Sequence, residues 1–214
     1  MLYAIGRAIA GILLFLLTRR RVRGRDNVPR RGSLLVIANH LNLIDPSVLV
    51  TSLGRRAVFM AKDELFRSRI VAYLMRNFGV FPVTKGRLDR KGLGKAMQVL
   101  NDSQALVIFP EGMRSKSRRL KVAFPGAALL ASRSGALVIP VGISGTEKIT
   151  GLGWLWRRPQ ITVNIGPPFT LPPVNGKLTK SGLLRLTDVM MARIAALLPR
   201  EYRGHYAAKE TKWR

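Results

Sequence analysis

A histidine and an aspartate lie five residues apart just after a run of apolar residues near the start of the chain. The run is Leu34 to Ala38, and the two polar residues are His40 and Asp45. Five consecutive apolar residues are typical of a buried strand, and α/β sheets bind ligands at the carboxyl ends of their strands. Because histidine titrates near neutral pH, His40 is a candidate general base and Asp45 the carboxylate that orients its ring.

A structural role is the alternative for the same pair. Asp45 precedes Pro46, and an aspartate followed by proline is typical of a capped helix start. His40 would then be no more than a hydrogen-bonded side chain. The two roles are compatible, so we expect the Asp45 carboxylate to cap this helix and to lie within hydrogen-bond reach of His40.

Two further polar clusters follow apolar runs in the same way. Residues 84–87 come after the run 80–83, and residues 110–115 come after the run 105–109. If all three strands run parallel, their carboxyl ends meet and the clusters line one crevice. The crevice would bring Glu111 and several cations to the histidine. The cations are Lys85, Arg87 and Arg114, to which Lys62 and Arg90 could add.

These residue types favour acyl transfer to a phosphate-bearing hydroxyl compound. A histidine–carboxylate pair is part of a serine-protease triad, but the chain has no Cys and no Gly-x-Ser-x-Gly segment to supply the nucleophile. A hydroxyl of the substrate can replace it, deprotonated by His40 as it attacks an acyl thioester. Arg114 can hold a phosphate bidentately, and backbone N–H groups near Gly112 could help to hold the anion.

The composition points to an anionic partner. The 214 residues include 37 Lys and Arg against 11 Asp and Glu, a net charge of +26. Such an excess is typical of proteins that meet nucleic acid, an anionic membrane surface or phosphorylated substrates. With two His and no Cys, we expect no disulfide and no metal site.

The N-terminal segment predicts contact with a membrane. Residues 2–17 are apolar except for Arg7. As a helix they would be about 24 Å long, short of the roughly 30 Å hydrocarbon core. The basic residues at 19–25 would keep the following domain on the cytoplasmic side. We expect a monotopic or peripheral helix, and the alternative is a helix packed on the domain. Trp154-Leu155-Trp156 is either an exposed tip at the membrane interface or part of a packed hairpin.

Alternation of apolar strands with helical patterns predicts the fold class. We expect an α/β protein with a mixed, largely parallel sheet covered by helices on both faces, and with an N-terminal membrane-associated helix. Its parts would be a membrane-anchoring helix over 1–20, a catalytic domain over 21–200 and a frayed basic tail over 201–214.

Four motifs together resemble the ordered blocks of the glycerolipid acyltransferases, and the chain is similar in size to the bacterial lysophosphatidic acid acyltransferases. The motifs are Asn39-His40-x4-Asp45, the segment 79–83 with its basic loop, Phe109-Pro110-Glu111-Gly112-Met113-Arg114-Ser115, and the segment 138–143. The resemblance implies that His40 is the base and Asp45 its partner. It also implies that Lys85, Glu111 and Arg114 bind the glycerol phosphate acceptor. The fourth block would shape the acyl side.

The resemblance also implies a reaction and its partners. A fatty acyl group would pass from acyl-CoA or acyl-ACP (acyl carrier protein) to the free hydroxyl of lysophosphatidic acid, giving phosphatidic acid without an acyl-enzyme or a cofactor. The partners would be both substrates and an anionic membrane surface at the cytoplasmic face of the cell membrane. One alternative is the same chemistry on another lyso-lipid or glycolipid acceptor. Another is a basic nucleic-acid-binding protein, which the 7% of aromatic residues and the lack of a binding motif disfavour.

Overall fold

The computed structural model describes residues 2–84, 90–172 and 179–207, which form helices around a seven-stranded sheet. The strands are β1 (Arg19–Arg23), β2 (Leu34–Ala38), β3 (Ala57–Lys62), β4 (Val80–Val83), β5 (Ala105–Ile108), β6 (Leu137–Ser144) and β7 (Gln160–Ile165). The helices are α1 (Leu2–Leu17), α2 (Asp45–Leu53), α3 (Arg69–Asn77), α4 (Arg90–Asn101), α5 (Gly126–Ser134), α6 (Trp154–Arg157) and α7 (Lys180–Ala196).

The strand order places β2 at the centre of the sheet. The order is β1-β7-β6-β2-β5-β3-β4, and β2 pairs in parallel with both β5 and β6. All five residues of β2 are buried, as expected of a strand covered on both faces. Only the β6–β7 pair is antiparallel among the described strand pairs. The carboxyl ends of β2, β4 and β5 therefore share one edge of the sheet, which confirms the parallel arrangement predicted from the three apolar runs.

Helices cover both faces of the sheet, as predicted. On one face, Leu100 of α4, Leu130 of α5 and Met190 of α7 belong to one apolar core cluster. On the other face, Leu14 of α1 and Leu49 of α2 belong to a second cluster. Because side chains of β2 alternate between these two clusters, the strand holds both layers together and fixes the position of the residues that follow it.

Helix α1 packs along one side of the domain. Its Leu14 is buried, and the hydroxyl of Tyr3 accepts a hydrogen bond from the Ala57 N–H at 3.1 Å. Gly6 lies so close to the Phe78 ring that an added Cβ would overlap it. The opposite side of α1 remains exposed. Within the described residues, no helix is long and apolar enough to cross a membrane.

The C-terminal segment is ordered for longer than expected. We predicted a frayed tail over 201–214, but short 3-10 helices form at Arg200–Tyr202 and Gly204–Tyr206. Tyr206 is only 1% exposed and belongs to the first core cluster. The prediction is therefore wrong up to residue 207, because a buried tyrosine ties this basic segment to the domain. Residues 208–214 lie outside the described residues.

Candidate active site

The predicted contact between the histidine and the aspartate is confirmed. Nδ1 of His40 lies 2.8 Å from Oδ2 of Asp45. The same oxygen accepts hydrogen bonds from the backbone N–H groups of Leu41 at 2.6 Å and Asn42 at 2.8 Å. Asp45 is fully buried. Three donors thus converge on one carboxylate oxygen, and the loop from β2 to α2 is folded around it.

The second role expected of Asp45 is not observed. Helix α2 begins at Asp45 itself, its N-cap residue is Ile44, and no side chain caps it. The carboxylate turns back towards the preceding loop because the N–H groups of Leu41 and Asn42 converge there. The capping prediction is therefore wrong, and the carboxylate serves the histidine loop through Oδ2, whereas Oδ1 is buried without a hydrogen-bond partner among the described residues.

The histidine ring is held on a second side by an aromatic residue. The His40 ring stacks on Phe109 with centroids 4.1 Å apart and planes 18° apart. Phe109 follows β5, so the stack joins the ends of the two central strands. Because Nδ1 is bound to Asp45, Nε2 is the nitrogen left to exchange a proton with a molecule in the cleft that the ring lines.

Glu111 lies behind the cleft wall rather than in it. It is 2% exposed, and it is absent from the residues that line the cleft. Oε1 accepts from the N–H of His40 at 3.3 Å, and Oε2 accepts from the N–H of Lys121 at 3.0 Å. Burial raises the pKa of Glu111 to about 7, against the opposing effect of these hydrogen bonds. The carboxylate therefore joins the loop at His40 to the loop at Lys121. That Glu111 contacts the acceptor substrate directly stays a prediction, which this buried position does not favour.

A cavity of about 1300 Å³ opens at the carboxyl edge of the sheet. Its polar lining consists of Arg7, His40, Ser47, Lys62, Glu64, Gly112, Arg114, Ser115, Lys116 and Lys121. Within the described residues, Lys62, Arg114 and Lys116 form no ion pair, so their charge is available to an anion. The apolar part lies between α1 and the sheet and includes Gly6, Ala10, Phe59, Phe78 and Val80.

The structure thus brings the first and third predicted clusters together. His40 and the 110–115 segment touch directly, since the Ser115 N–H donates to the His40 carbonyl at 2.7 Å. Of the second cluster, Lys85 and Arg87 lie outside the described residues. Arg90 is exposed at the start of α4 and is not among the lining residues, whereas Lys62 is.

Asn39 is part of the first motif, but the sequence argument assigned it no role. It is buried, and its amide exchanges two hydrogen bonds with the backbone of Ile143, at 2.8 and 2.7 Å. It thereby extends the pairing of β2 with β6 by one residue and fixes the backbone just before His40. A polar residue between a buried strand and the histidine was the available signal. Lys116 and Lys121 were also missed, although they belong to the basic run after Arg114.

No metal-binding cluster accompanies this site in the part of the chain that the structure describes. There, no three His, Asp or Glu side chains are grouped so that they could hold an ion.

The fold and the histidine–carboxylate cleft correspond to a known family. Residues 19–144 match the acyltransferase family, and the chain belongs to it. The resemblance drawn from the four motifs is therefore confirmed at the level of the family.

Individual relatives are similar over part of their length. The chain is 30% identical over 154 residues to the chloroplastic 1-acyl-sn-glycerol-3-phosphate acyltransferase of Arabidopsis thaliana, covering 70% of this chain and 42% of that protein. It is 27% identical over 187 residues to the 1-acyl-sn-glycerol-3-phosphate acyltransferase of Streptococcus pneumoniae, covering 86% and 68%. The chain spans 42%, 44% and 51% of three curated relatives, which is about half of their length.

A solved structure shares the fold. The crystal structure of PlsC, the 1-acyl-sn-glycerophosphate acyltransferase from Thermotoga maritima, superposes with a TM-score of 0.67. The match covers 94% of this chain and 76% of that chain, with 22% identity. Both are thus built on the same mixed, mostly parallel sheet with covering helices.

Proposed function

We propose that this protein transfers a fatty acyl group from a thioester to the free hydroxyl of lysophosphatidic acid, giving phosphatidic acid. The observation that carries the proposal is the 2.8 Å contact between His40 Nδ1 and Asp45. The His40 ring lines a cleft whose cations Lys62, Arg114 and Lys116 form no ion pair with any residue that the structure describes. The names of the curated relatives support the same acceptor.

The proposed reaction is a direct transfer. Nε2 of His40 takes the proton from the acceptor hydroxyl while its oxygen forms a bond to the thioester carbonyl carbon. The carbon–sulfur bond then breaks, and the imidazolium returns the proton to the leaving thiolate. Asp45 stabilises the imidazolium and holds Nδ1 as its N–H donor. The chain has no Cys, and the Ser115 hydroxyl donates to the Arg119 carbonyl at 2.6 Å, which supports a route without an acyl-enzyme.

The acceptor phosphate would bind beside the histidine. Arg114, Lys116 and Lys121 line the polar part of the cleft and follow the same β5 strand end as Phe109. Arg114 can grip two phosphate oxygens, and the two lysines add positive charge. Lys85 and Arg87 stay predicted ligands of the same phosphate. The donor, acyl-CoA or acyl-ACP, would place its acyl chain in the apolar part of the cleft, and no cofactor is required.

The protein would work at an anionic membrane surface. Exposed apolar residues lie on three neighbouring helices: Ile9, Ile12 and Phe15 on α1, Ile70, Tyr73 and Leu74 on α3, and Trp156 on α6. Trp156 is 89% exposed, and the guanidinium of neighbouring Arg158 donates to the Phe15 carbonyl at 3.1 Å. Phe78, which follows α3, packs on Gly6 of α1.

Apolar and aromatic side chains interleaved with arginine are typical of peripheral membrane contact. The net charge of +26 favours anionic lipid, and the basic residues at 19–25 favour the cytoplasmic face.

A donor and acceptor panel tests this proposal. Purified protein is assayed on vesicles with acyl-CoA and acyl-ACP as donors. The acceptors are lysophosphatidic acid, lyso-lipids with other head groups and a glycolipid. We expect phosphatidic acid to be the main product. Equal turnover of an acceptor without a phosphate would contradict the role of Arg114. Salt-sensitive DNA binding without acyl transfer would favour the nucleic-acid alternative.

A further inference from the structure

Residues 199–207, called here the C-terminal strap, pair with the loop of residues 114–121. This loop carries the cleft cations Arg114, Lys116 and Lys121. The backbone of Leu120 makes two hydrogen bonds to the strap: its N–H donates to the Tyr202 carbonyl at 2.8 Å, and its carbonyl accepts from the His205 N–H at 3.2 Å. These two hydrogen bonds tie residues 199–207 to the loop at Leu120.

Two tyrosines anchor the strap to the body of the domain. The Tyr206 hydroxyl accepts a hydrogen bond from the Ala123 N–H at 3.3 Å, and the ring is buried in the core. The Tyr202 hydroxyl donates to Glu147 at 2.7 Å. The second oxygen of Glu147 accepts from the Gly145 N–H at 2.9 Å, just after β6. Burial and the Glu147 carboxylate both raise the pKa of Tyr202, so its hydroxyl keeps the proton that it donates.

Gly204 fits the strap against the loop without space for a side chain. Its φ is +48°, a left-handed conformation that favours glycine. An added Cβ would overlap the Leu120 carbonyl oxygen and lie 3.0 Å from the Arg119 Cβ. A substitution at this position must therefore push the strap and the loop apart.

The loop continues directly into the active site. Lys121, next to Leu120, donates its N–H to Glu111, whose other oxygen accepts from the N–H of His40. At the other end of the loop, the Ser115 N–H donates to the His40 carbonyl. The cations Arg114, Lys116 and Lys121 lie on this same loop and line the cleft. Displacing Leu120 would therefore move the cations relative to the histidine.

We propose that the C-terminal strap is a positioning element, which holds the cationic loop so that a phosphate-bearing acceptor is bound next to His40. The strap touches neither substrate nor reacting atoms, and it acts through Leu120, Lys121 and Glu111. The kinetic part of this inference rests on the proposed acyl transfer, whereas the structural part does not.

The test compares Gly204→Ala with Gly135→Ala in the full chain. Gly135 has φ +61° and nothing within 4 Å of an added Cβ, so its alanine variant carries similar backbone strain without touching the loop. Trypsin can cut after Lys116, Arg118, Arg119 and Lys121, all in the loop. We expect Gly204→Ala to be cut there about tenfold faster than Gly135→Ala, a ratio that corresponds to 1.4 kcal/mol. We also expect the KM for lysophosphatidic acid to rise several-fold, more than kcat falls.

A second variant keeps the test open if Gly204→Ala does not fold. Tyr202→Phe removes only the hydroxyl that reaches Glu147. Thr170→Val, which removes a hydroxyl at an exposed position away from the cleft, is its control. Loop cleavage no faster than in the controls would overturn the proposal, as would faster cleavage with an unchanged acceptor KM. A wild-type protein that does not acylate lysophosphatidic acid would overturn the proposed function alone, and loop cleavage would still decide whether the strap holds the loop.

Discussion

Replacing Glu111 by glutamine should remove a loss of stability that the wild-type protein undergoes as the pH rises, and it should lower the activity. Burial raises the pKa of Glu111 from 4.5 to about 7, so the carboxyl binds its proton more tightly in the folded chain than in the unfolded one. Its contribution to stability is therefore fully present below pH 4.5 and is lost as the pH rises through 7. Glutamine has the shape of the protonated carboxyl and does not titrate, so the variant lacks this loss.

The size of the effect follows from the two pKa values. The interval from 4.5 to about 7 corresponds to about 3 kcal/mol of unfolding free energy. Relative to wild type, Glu111→Gln should gain roughly that amount between pH 4.5 and pH 8. The function suffers because only the carboxylate offers two acceptor oxygens. In the variant, the N–H of either His40 or Lys121 faces an amide NH₂, which lowers the unfolding free energy by roughly 1–3 kcal/mol without adding a pH dependence. Because that N–H belongs either to the histidine or to the loop that carries the cations, we expect the turnover at pH 8 to fall about tenfold, which corresponds to roughly 1.4 kcal/mol in the barrier.

Urea unfolding of wild type and Glu111→Gln at pH 4.5, 6 and 8 measures the difference between their unfolding free energies. The contributions of all other titrating groups cancel in this difference. Asp102→Asn is the matched control, because Asp102 is an exposed carboxylate at the end of α4. Its stability relative to wild type should change little with pH. A difference for Glu111→Gln that is equally independent of pH would refute the reasoning, as would full activity at pH 8.

Three other substitutions probe the site. Asp45→Asn should lower turnover roughly 10²–10⁴-fold at an unchanged acceptor KM, because the imidazolium of His40 loses its counter-charge; steady-state kinetics with a nearly normal kcat would contradict this. Asn39→Ala should lower the unfolding free energy by roughly 1–3 kcal/mol, since the Ile143 N–H loses its partner in a buried place; urea unfolding measures it, and an unchanged midpoint would count against the role. Arg114→Gln should raise the acceptor KM roughly tenfold or more through lost charge-assisted hydrogen bonds, whereas the exposed Arg133→Gln should leave it unchanged.

The features that could be predicted from the sequence are those that depend on neighbouring residues. Runs of apolar residues marked β2, β4 and β5, and their parallel order followed from the alternation of strands with helices. The contact between His40 and Asp45 was predictable because four intervening residues can close a small loop at the end of a strand.

The features that could not be predicted depend on which backbone N–H groups reach a side chain, from nearby or from far along the chain. Asp45 was expected to cap α2, but the N–H groups of Leu41 and Asn42, which precede it, donate to its carboxylate. Glu111 is a residue type that often binds ligands, yet its two oxygens accept hydrogen bonds from backbone N–H groups 71 positions before it and 10 positions after it. Tyr206 is bound 83 positions from its partner Ala123, and a polar, basic terminus gives no local sign of that contact.

The central claim, that His40 is the general base of a direct acyl transfer, is tested most directly by the initial rate of phosphatidic acid formation. Wild type and His40→Gln are compared on the same vesicles at pH 7.5, after urea unfolding has shown that both are folded. Glutamine retains polarity at this position but cannot take a proton. The account predicts a rate roughly 10²–10⁴-fold lower in the variant. A folded His40→Gln protein that forms phosphatidic acid at nearly the wild-type rate would contradict it.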